Sequence, residues 1–560
     1  MKKIYLLVVS ALLFSCWNQA ATAAETIRER VYIQTDKPLY LAGELMWLKL
    51  ILTDQQGEPS LLSKVAYVEL YDESSPQVQI KLEINEGVAE GWIMIPATLP
   101  TANYRLIGYT RYMLNEGSEV FFEQELPIVN TFAIDRTVSF DADSTLFTFT
   151  KTEGEVKIQS PLSLYDKRTK GQLTLSQLPD DLHTLSLSIT AYDGLPIAKA
   201  TDNLKRWEEQ LPRVATPKVD MTIIPEYEGH ILTGTLIDTE TGLPHYESII
   251  TPLLAFTGKD IRLFAGKLDE DANVSFFTKK ITGTHEIVTT ALSFSEKEYR
   301  VDIHSPFYQH PEKKMAPIRL HPSWNDKLLN RSVSLQVLHS YMADSMSRVL
   351  PSEGIFQYSP ARSYPLDEYT RFVTMEEVVI EFIPSLRFRS INRQKHLSVL
   401  TEERMGFAMG NSLVLIDGIP ISNHENIFNY DPLLVERIDV YRGRYLFGGQ
   451  YFNGMAVFNT YHDDYPGMVF GPSTQFFDYA GTQDHRLFYM PDYTAPEQQA
   501  TRLPDYRNTL LWMPEVATDG QSSITIPFTT SDLPGDYIIT VEGLTRSGKA
   551  IYSTELITVK

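Results

Sequence analysis

Residues 411–461 read NSLVLIDGIPISNHENIFNYDPLLVERIDVYRGRYLFGGQYFNGMAVFNTY. Apolar runs alternate here with turn formers. Leu413–Ile416 and Ile438–Tyr441 are rich in β-branched or aromatic residues and bounded by Gly or Asp, which predicts short strands. Asp417-Gly418 predicts a tight turn, because glycine enters positive φ without a Cβ clash. Gly448-Gly449 and Asn453-Gly454 punctuate the second half in the same way. Upstream, 325–346 has helical spacing of Leu328, Leu329, Val333, Leu335, Val337, Leu338 and Tyr341. Residues 363–389 predict a loop running into a helix, with Asp367 as cap and Phe372, Met375, Val378, Val379 and Phe382 on one face. Together these segments predict an α+β module over 307–470.

Within that module, Val414–Pro420, Val435–Gly443, Phe447-Gly448 and Asn453–Asn459 resemble the signature of the plug domain of TonB-dependent outer-membrane receptors. The resemblance covers about 50 residues and implies a small α+β globule that works inside another protein. Only 93 residues follow Gly467. A 22-stranded barrel at about 10 residues per strand needs over 200. The expectation is therefore a plug-like module without its own barrel.

The net charge of −21 argues against nucleic acid, which requires a basic stripe, and against adhesion to anionic lipid. With 43% hydrophobic and 11% aromatic residues, the 560-residue chain can build several cores, and Tyr 30 and Phe 27 favour strands. Residues 1–24 read as an export leader. Lys2-Lys3 precede an apolar run, Ile4–Phe14, that is too short to span a bilayer. Ala21-Thr22-Ala23 fits ordinary cleavage. Leu13-Phe14-Ser15-Cys16 resembles a bacterial lipobox, which would make Cys16 a lipidation site and the sole membrane attachment. Cys16 is the only cysteine in the chain, so no disulfide framework is expected.

Residues 25–131 carry a second pattern. RVYIQTDKPLYLAGELMWLKLILTD opens with a strand, turns at Thr35–Pro38, and continues into alternating Leu45, Trp47, Lys49 and Ile51. Strands follow in 63–72 and 87–113. Short strands at 8–12-residue spacing predict a β-sandwich, with Trp47, Trp92, Tyr104 and Tyr109 as core or sheet-face aromatics. TDKPLYLAGE and LPTANYRLIGYT resemble the MG2 domain of the alpha-2-macroglobulin family. Residues 132–215 predict a further sandwich, and 216–306 another that resembles carboxypeptidase-regulatory-like domains at Gly234–Asp238 and Thr241–Pro244. Residues 471–560 predict a last one, in which Trp512, Pro514, Thr518–Gly520, Phe528 and Asp532 match a macroglobulin pattern. The fold class is thus mainly β, tandem macroglobulin/Ig-like sandwiches with a plug-like α+β domain. The combination resembles Bacteroidetes envelope proteins.

Chemistry is sparse. No HExxH, CxxC, Walker or GxSxG motif is present, and no cofactor is indicated. A macroglobulin thioester needs a thiol, and none lies outside the leader. His462-Asp463-Asp464 reads as an exposed turn rather than a cation site, since neighbours on an extended segment face opposite ways. Glu376, Glu377 and Glu381 read as a solvated helix face. The expectation is a non-enzymatic, exported periplasmic or outer-membrane-associated scaffold whose module docks an envelope protein, such as a barrel. Asp417, Gly418, Arg442, Gly443, Tyr445 and Tyr451 are the candidate docking residues. Two other readings stand beside it. One is a thioester-free protease inhibitor with a bait segment in 304–366. The other is a glycan-binding module using Tyr445 and Tyr451.

Overall fold

The computed structural model describes residues 27–132, 139–140, 149–192, 207, 221–258, 261–293, 297–341, 347–349, 359–391, 394–402, 412–447 and 450–560. The leader, with Cys16, and the 216–220 linker lie outside the described residues. The chain is mainly β, as its sequence predicts.

The first sandwich pairs a three-stranded sheet with a five-stranded one. The smaller sheet runs Arg30–Thr35, Leu45–Thr53, Val88–Met94. The larger runs Tyr40–Leu41, Phe122–Val129, Ala102–Tyr109, Val65–Tyr71, Pro76–Glu83. Ile33, Leu48, Leu50, Val68, Leu70, Leu106 and Tyr104 fill the core between them. Simple alternation predicts a solvated face at Trp47 and Lys49. Instead the strand Leu45–Thr53 is buried on both faces after its first residue. A second sandwich covers the far side, and Lys49, 0% exposed, donates to Thr184 Oγ1 at 2.5 Å and to Glu515 at 3.0 Å.

That second sandwich is discontinuous in sequence. Its five-stranded sheet runs Leu164–Tyr165, Ala550–Val559, Gly535–Thr545, Leu182–Tyr192, Thr509–Met513. Its three-stranded sheet joins Lys157–Gln159 and Lys170–Ser176 to Ser523–Thr529. The boundaries expected at 132–215 and 471–560 therefore separate strands that share one core, in which Leu187, Ile189, Leu173 and Val156 pack with Phe528, Ile539 and Val541.

A third core lies within a seven-stranded sheet ordered Tyr299–Ile303, Ile231–Asp238, Asn273–Phe277, Arg262–Leu268, Thr251–Phe256, Thr284–Leu292, Thr474–Ala480. Its last strand comes from the stretch assigned by sequence to the C-terminal unit. The connection 304–318 is exposed over most of its length and is pinned to the first sandwich. Tyr308 N donates to the Tyr109 hydroxyl at 2.8 Å, and His310 lies 3.1 Å from Glu69.

The helix Asn325–Tyr341 does not join the α+β module as expected. Leu328 and Leu335 pack on Leu39, Leu41 and Val129 of the first sandwich. Arg331 holds both Glu44 oxygens at 2.8 and 2.7 Å and the Leu39 carbonyl at 2.9 Å. Burial raises the Glu44 carboxyl, but Arg331 and Lys37 outweigh it and hold it at about 2.

Candidate functional site

The α+β module is built on a five-stranded sheet: Arg362–Pro365, Val435–Phe447, Gln450–Thr460, Leu413–Ile416, Ile419–Pro420. Leu413–Ile416 lies parallel to Gln450–Thr460, and the other pairs are antiparallel. Val414, Ile416, Ile438, Val440, Ala456 and Phe458 face the helix Met375–Phe382 and a hairpin of Leu386–Ile391 with Gln394–Val399. The helix is capped by Thr374, not Asp367. Thr374 and Glu377 form a reciprocal capping box, which satisfies two otherwise orphan amides. Leu413, Leu415, Tyr441, Phe452, Met455 and Val457 face the other way, onto Leu253 and Ile261 of the third sandwich. The sheet is thus covered on both sides by its own chain.

Asp417 and Gly418 form the predicted turn, with φ of 44° and 84° between the paired Ile416 and Ile419. Two successive positive φ values match a type I′ hairpin turn. The sequence proposed both residues for an outside partner, and the structure corrects this. Asp417 is 0% exposed and its carboxylate is used internally. It accepts from Thr460 N and Thr460 Oγ1, both at 2.7 Å, and from Tyr465 N at 2.9 Å. The Asp417 carbonyl accepts from Gly258 N at 3.0 Å. A Cβ on Gly418 would lie 2.7 Å from the Phe256 carbonyl oxygen, so the turn abuts the third sandwich. The docking partner of these two residues is this chain.

The other four candidates sit together on the distal half of the hairpin Val435–Phe447/Gln450–Thr460. A register shift between Tyr441 and Arg444 divides it. Before the shift, Val435, Ile438, Val440 and Tyr441 are buried, and burial pushes the Tyr441 hydroxyl up to about 12. After it, Gly443 and Arg444 are exposed, Leu446 is 57% exposed and Tyr451 is 47% exposed. Arg442 is half-buried and its Nε donates to the Leu400 carbonyl at 2.9 Å. Tyr445 is half-buried, with its ring 6.4 Å from Tyr441. The Arg444 guanidinium lies 4.0 Å from the Tyr451 ring centre, a cation–π contact on the surface.

Sequence reading missed the polar pins of the hairpin. Asp439, nearly buried, accepts from Ser363 Oγ at 2.5 Å, Asn459 Nδ2 at 3.0 Å and Arg437 Nε at 3.0 Å. Polar residues inside an apolar strand were the available signal, but their partners lie up to 76 residues away. Among the described residues, no three His, Cys, Asp or Glu side chains gather in a group that could hold a metal ion. No described helix is long and apolar enough to cross a membrane.

No family model matches the chain, and no curated protein matches it. Solved structures similar to it include Escherichia coli alpha-2-macroglobulin activated by porcine elastase. The identity is 8% over 95% of this chain and 44% of that one, with a TM-score of 0.25. Native E. coli alpha-2-macroglobulin gives 9% identity over 97% and 40%, with a TM-score of 0.25. Salmonella alpha-2-macroglobulin reacted with methylamine gives 9% over 95% and 39%, with a TM-score of 0.24. The chain spans about two fifths of the length of these proteins. Overlaps of this quality carry no argument about activity.

Proposed function

We propose that the chain is a non-catalytic scaffold of the cell envelope, exported through its N-terminal leader. Its sandwiches hold the α+β module rigidly, so that the distal hairpin 442–453 meets a partner protein such as an outer-membrane barrel. The observation that carries this reading is the division of the hairpin. Its proximal half is packed on both faces by the chain itself, while its distal half presents Leu446, Tyr451, Arg444 and Gly443 to solvent. Exposed aromatics and arginines are the side chains over-represented in interface hot spots. Asp417 and Gly418 have no part in this surface.

The test is site-specific photo-crosslinking in the native host. A photoreactive residue at Leu446 or Tyr451 is expected to give one discrete heavier adduct containing an envelope protein. The same residue at Leu61, 62% exposed on the first sandwich, is expected to give none. Adducts of equal yield and pattern at all three positions, or none from the hairpin, would overturn the reading. Mass spectrometry of the mature N-terminus tests the export step. A lipid on Cys16 and an unmodified start after residue 23 are the two expected alternatives, and an intact Met1 in the mature protein excludes both.

A further inference from the structure

The distal hairpin differs in charge from the rest of the molecule. The 23 residues from Val440 to His462 contain no Asp or Glu, although 71 of the 560 residues in the chain are acidic. The same stretch holds Arg442 and Arg444. On a molecule of net charge −21, an acidic surface can approach here without like-charge repulsion.

Packing brings both arginines to one side of the ribbon. Tyr441, Tyr445, Phe447 and Phe452 face the third sandwich. Alternation along the two strands turns Arg444, Leu446 and Tyr451 to the opposite side. Arg442 reaches that side too, where its Nε donates to the Leu400 carbonyl at 2.9 Å. A guanidinium has five N–H donors. Arg442 spends one on Leu400, and Arg444, laid over the Tyr451 ring at 4.0 Å, spends none among the described residues. The ring and the carbonyl hold the two forks in place, so little side-chain freedom is lost when an acceptor arrives.

The neighbouring charges do not neutralise them. Glu402 comes close through its backbone, whose N donates to the Arg442 carbonyl at 3.3 Å. Its exposed carboxylate pairs with neither arginine among the described residues. Asp439, on the proximal half, is taken by Ser363, Asn459 and Arg437. Arg387 and Arg389, on the adjoining hairpin, are already engaged.

Two open forks beside Leu446 and Tyr451 fit a pair of carboxylates at the edge of an apolar patch. A bilayer fits less well. Two cations draw an anionic surface by only about thirtyfold, against the repulsion of all the remaining charge. A plainer role is to guard the ribbon edges, which lie beyond the pairing of Arg362–Pro365 and Leu413–Ile416. Charge of either sign performs that task. We infer, resting on the docking surface proposed above, that Arg442 and Arg444 receive two carboxylates of the partner protein.

The test places a photoreactive residue at Leu446 of the full chain in the native host, in the parent and in R442E/R444E. The parent adduct is expected to map by mass spectrometry to a partner peptide with at least two Asp or Glu residues. Its yield is expected to fall about tenfold or more in R442E/R444E, as reversal of charge-assisted bonds implies. The variant keeps two charges on the ribbon, so a guarding role alone predicts an unchanged yield. If the double variant loses the near-ultraviolet circular dichroism of the parent, R444E replaces it, since Arg444 is exposed, with the same direction expected. Equal yields in parent and variant would overturn the inference and leave the docking surface standing. An adduct to lipid, or to a second copy of this chain, would overturn it as well. No adduct in the parent would overturn the docking surface itself, and the inference with it.

Discussion

At the residue scale, Asp417 shows how a turn former can also be a structural pin. Its position before glycine predicts the turn, and the positive φ of Asp417 and Gly418 follows from it. The three hydrogen bonds to Thr460 and Tyr465 do not follow, because the partners lie 43 and 48 residues downstream. Asp417→Ala is expected to strand the buried Thr460 amide, to free the half-buried Tyr465 amide and to destabilise the module by about 3 kcal/mol. A fall in the urea midpoint with unchanged slope would measure it. Gly454 is a second such position. Its φ is 78° and a Cβ would lie 2.5 Å from Val399, so Gly454→Ala is expected to cost about 2 kcal/mol by the same measurement.

Two buried glutamates make a prediction about pH. Burial pushes the Glu542 carboxyl up to about 7, against the Tyr32 hydrogen bond and the Lys49 charge. Burial likewise pushes Glu226 up to about 7, against its bonds from Ile231 N and Tyr67 and the charges of Arg111 and Lys81. Each is bonded to a tyrosine of the first sandwich from a neighbouring one. A folded value above the ordinary 4.5 means the native state holds its proton longer than the unfolded chain does. Stability from these groups is therefore full below pH 4.5 and lost as pH rises through 7, by about 3 kcal/mol each. Thermal midpoints are expected to fall from pH 5 to pH 8, and Glu542→Gln is expected to flatten part of that slope. A midpoint that rises over this range in the parent would refute the assignment.

At the scale of elements, local patterns were good guides. The Asp417-Gly418 turn, the strand Leu413–Ile416, the helix Met375–Phe382 and the sandwich strands of 30–129 were all legible from periodicity and turn residues. What they pack against was not. The apolar spacing of 325–341 announces a helix but not its seat, which is chosen by Arg331 and Glu44 across 287 residues. Replacing Arg331 by Met removes two charge-assisted bonds from buried Glu44 and leaves it the Leu41 N and Asn508 Nδ2 donors and the Lys37 cation at 3.7 Å. The expected cost is about 3 kcal/mol, with early proteolytic cleavage within 325–341 as the readout. The candidate site divides along the same line. Arg442, Gly443, Tyr445 and Tyr451 fall on one hairpin end because the hairpin itself was readable, whereas Asp417 and Gly418 were lost to a contact with Phe256 and Gly258 that no local pattern encodes.

At the scale of the molecule, the sandwiches share faces rather than standing as beads. Lys49 to Glu515, Tyr32 to Glu542, Gln34 to Ser186 and Asp36 to Thr509 all join the first sandwich to the second. Removing 509–560 is expected to leave Leu164–Tyr165 and Leu182–Tyr192 without partner strands and to uncover the Trp47–Lys49 face. A chain ending at 508 should then bind a hydrophobic dye and lose the near-ultraviolet signal of its packed tryptophans, which circular dichroism would record.

The split of the second sandwich also sets a schedule. Whether threaded from a ribosome or through a translocation pore, the chain emerges in N-to-C order. Leu182–Tyr192 must wait for the strand beginning at Thr509, more than 300 residues later. At roughly 5–20 residues per second that delay is between a quarter of a minute and a minute, far longer than hydrophobic collapse. Throughout it, an orphan half-sheet with open edges is at large. Newborn chain is consequently the aggregation-prone form of this protein, and a holding chaperone should engage it between those two points of synthesis and let go once residue 560 arrives.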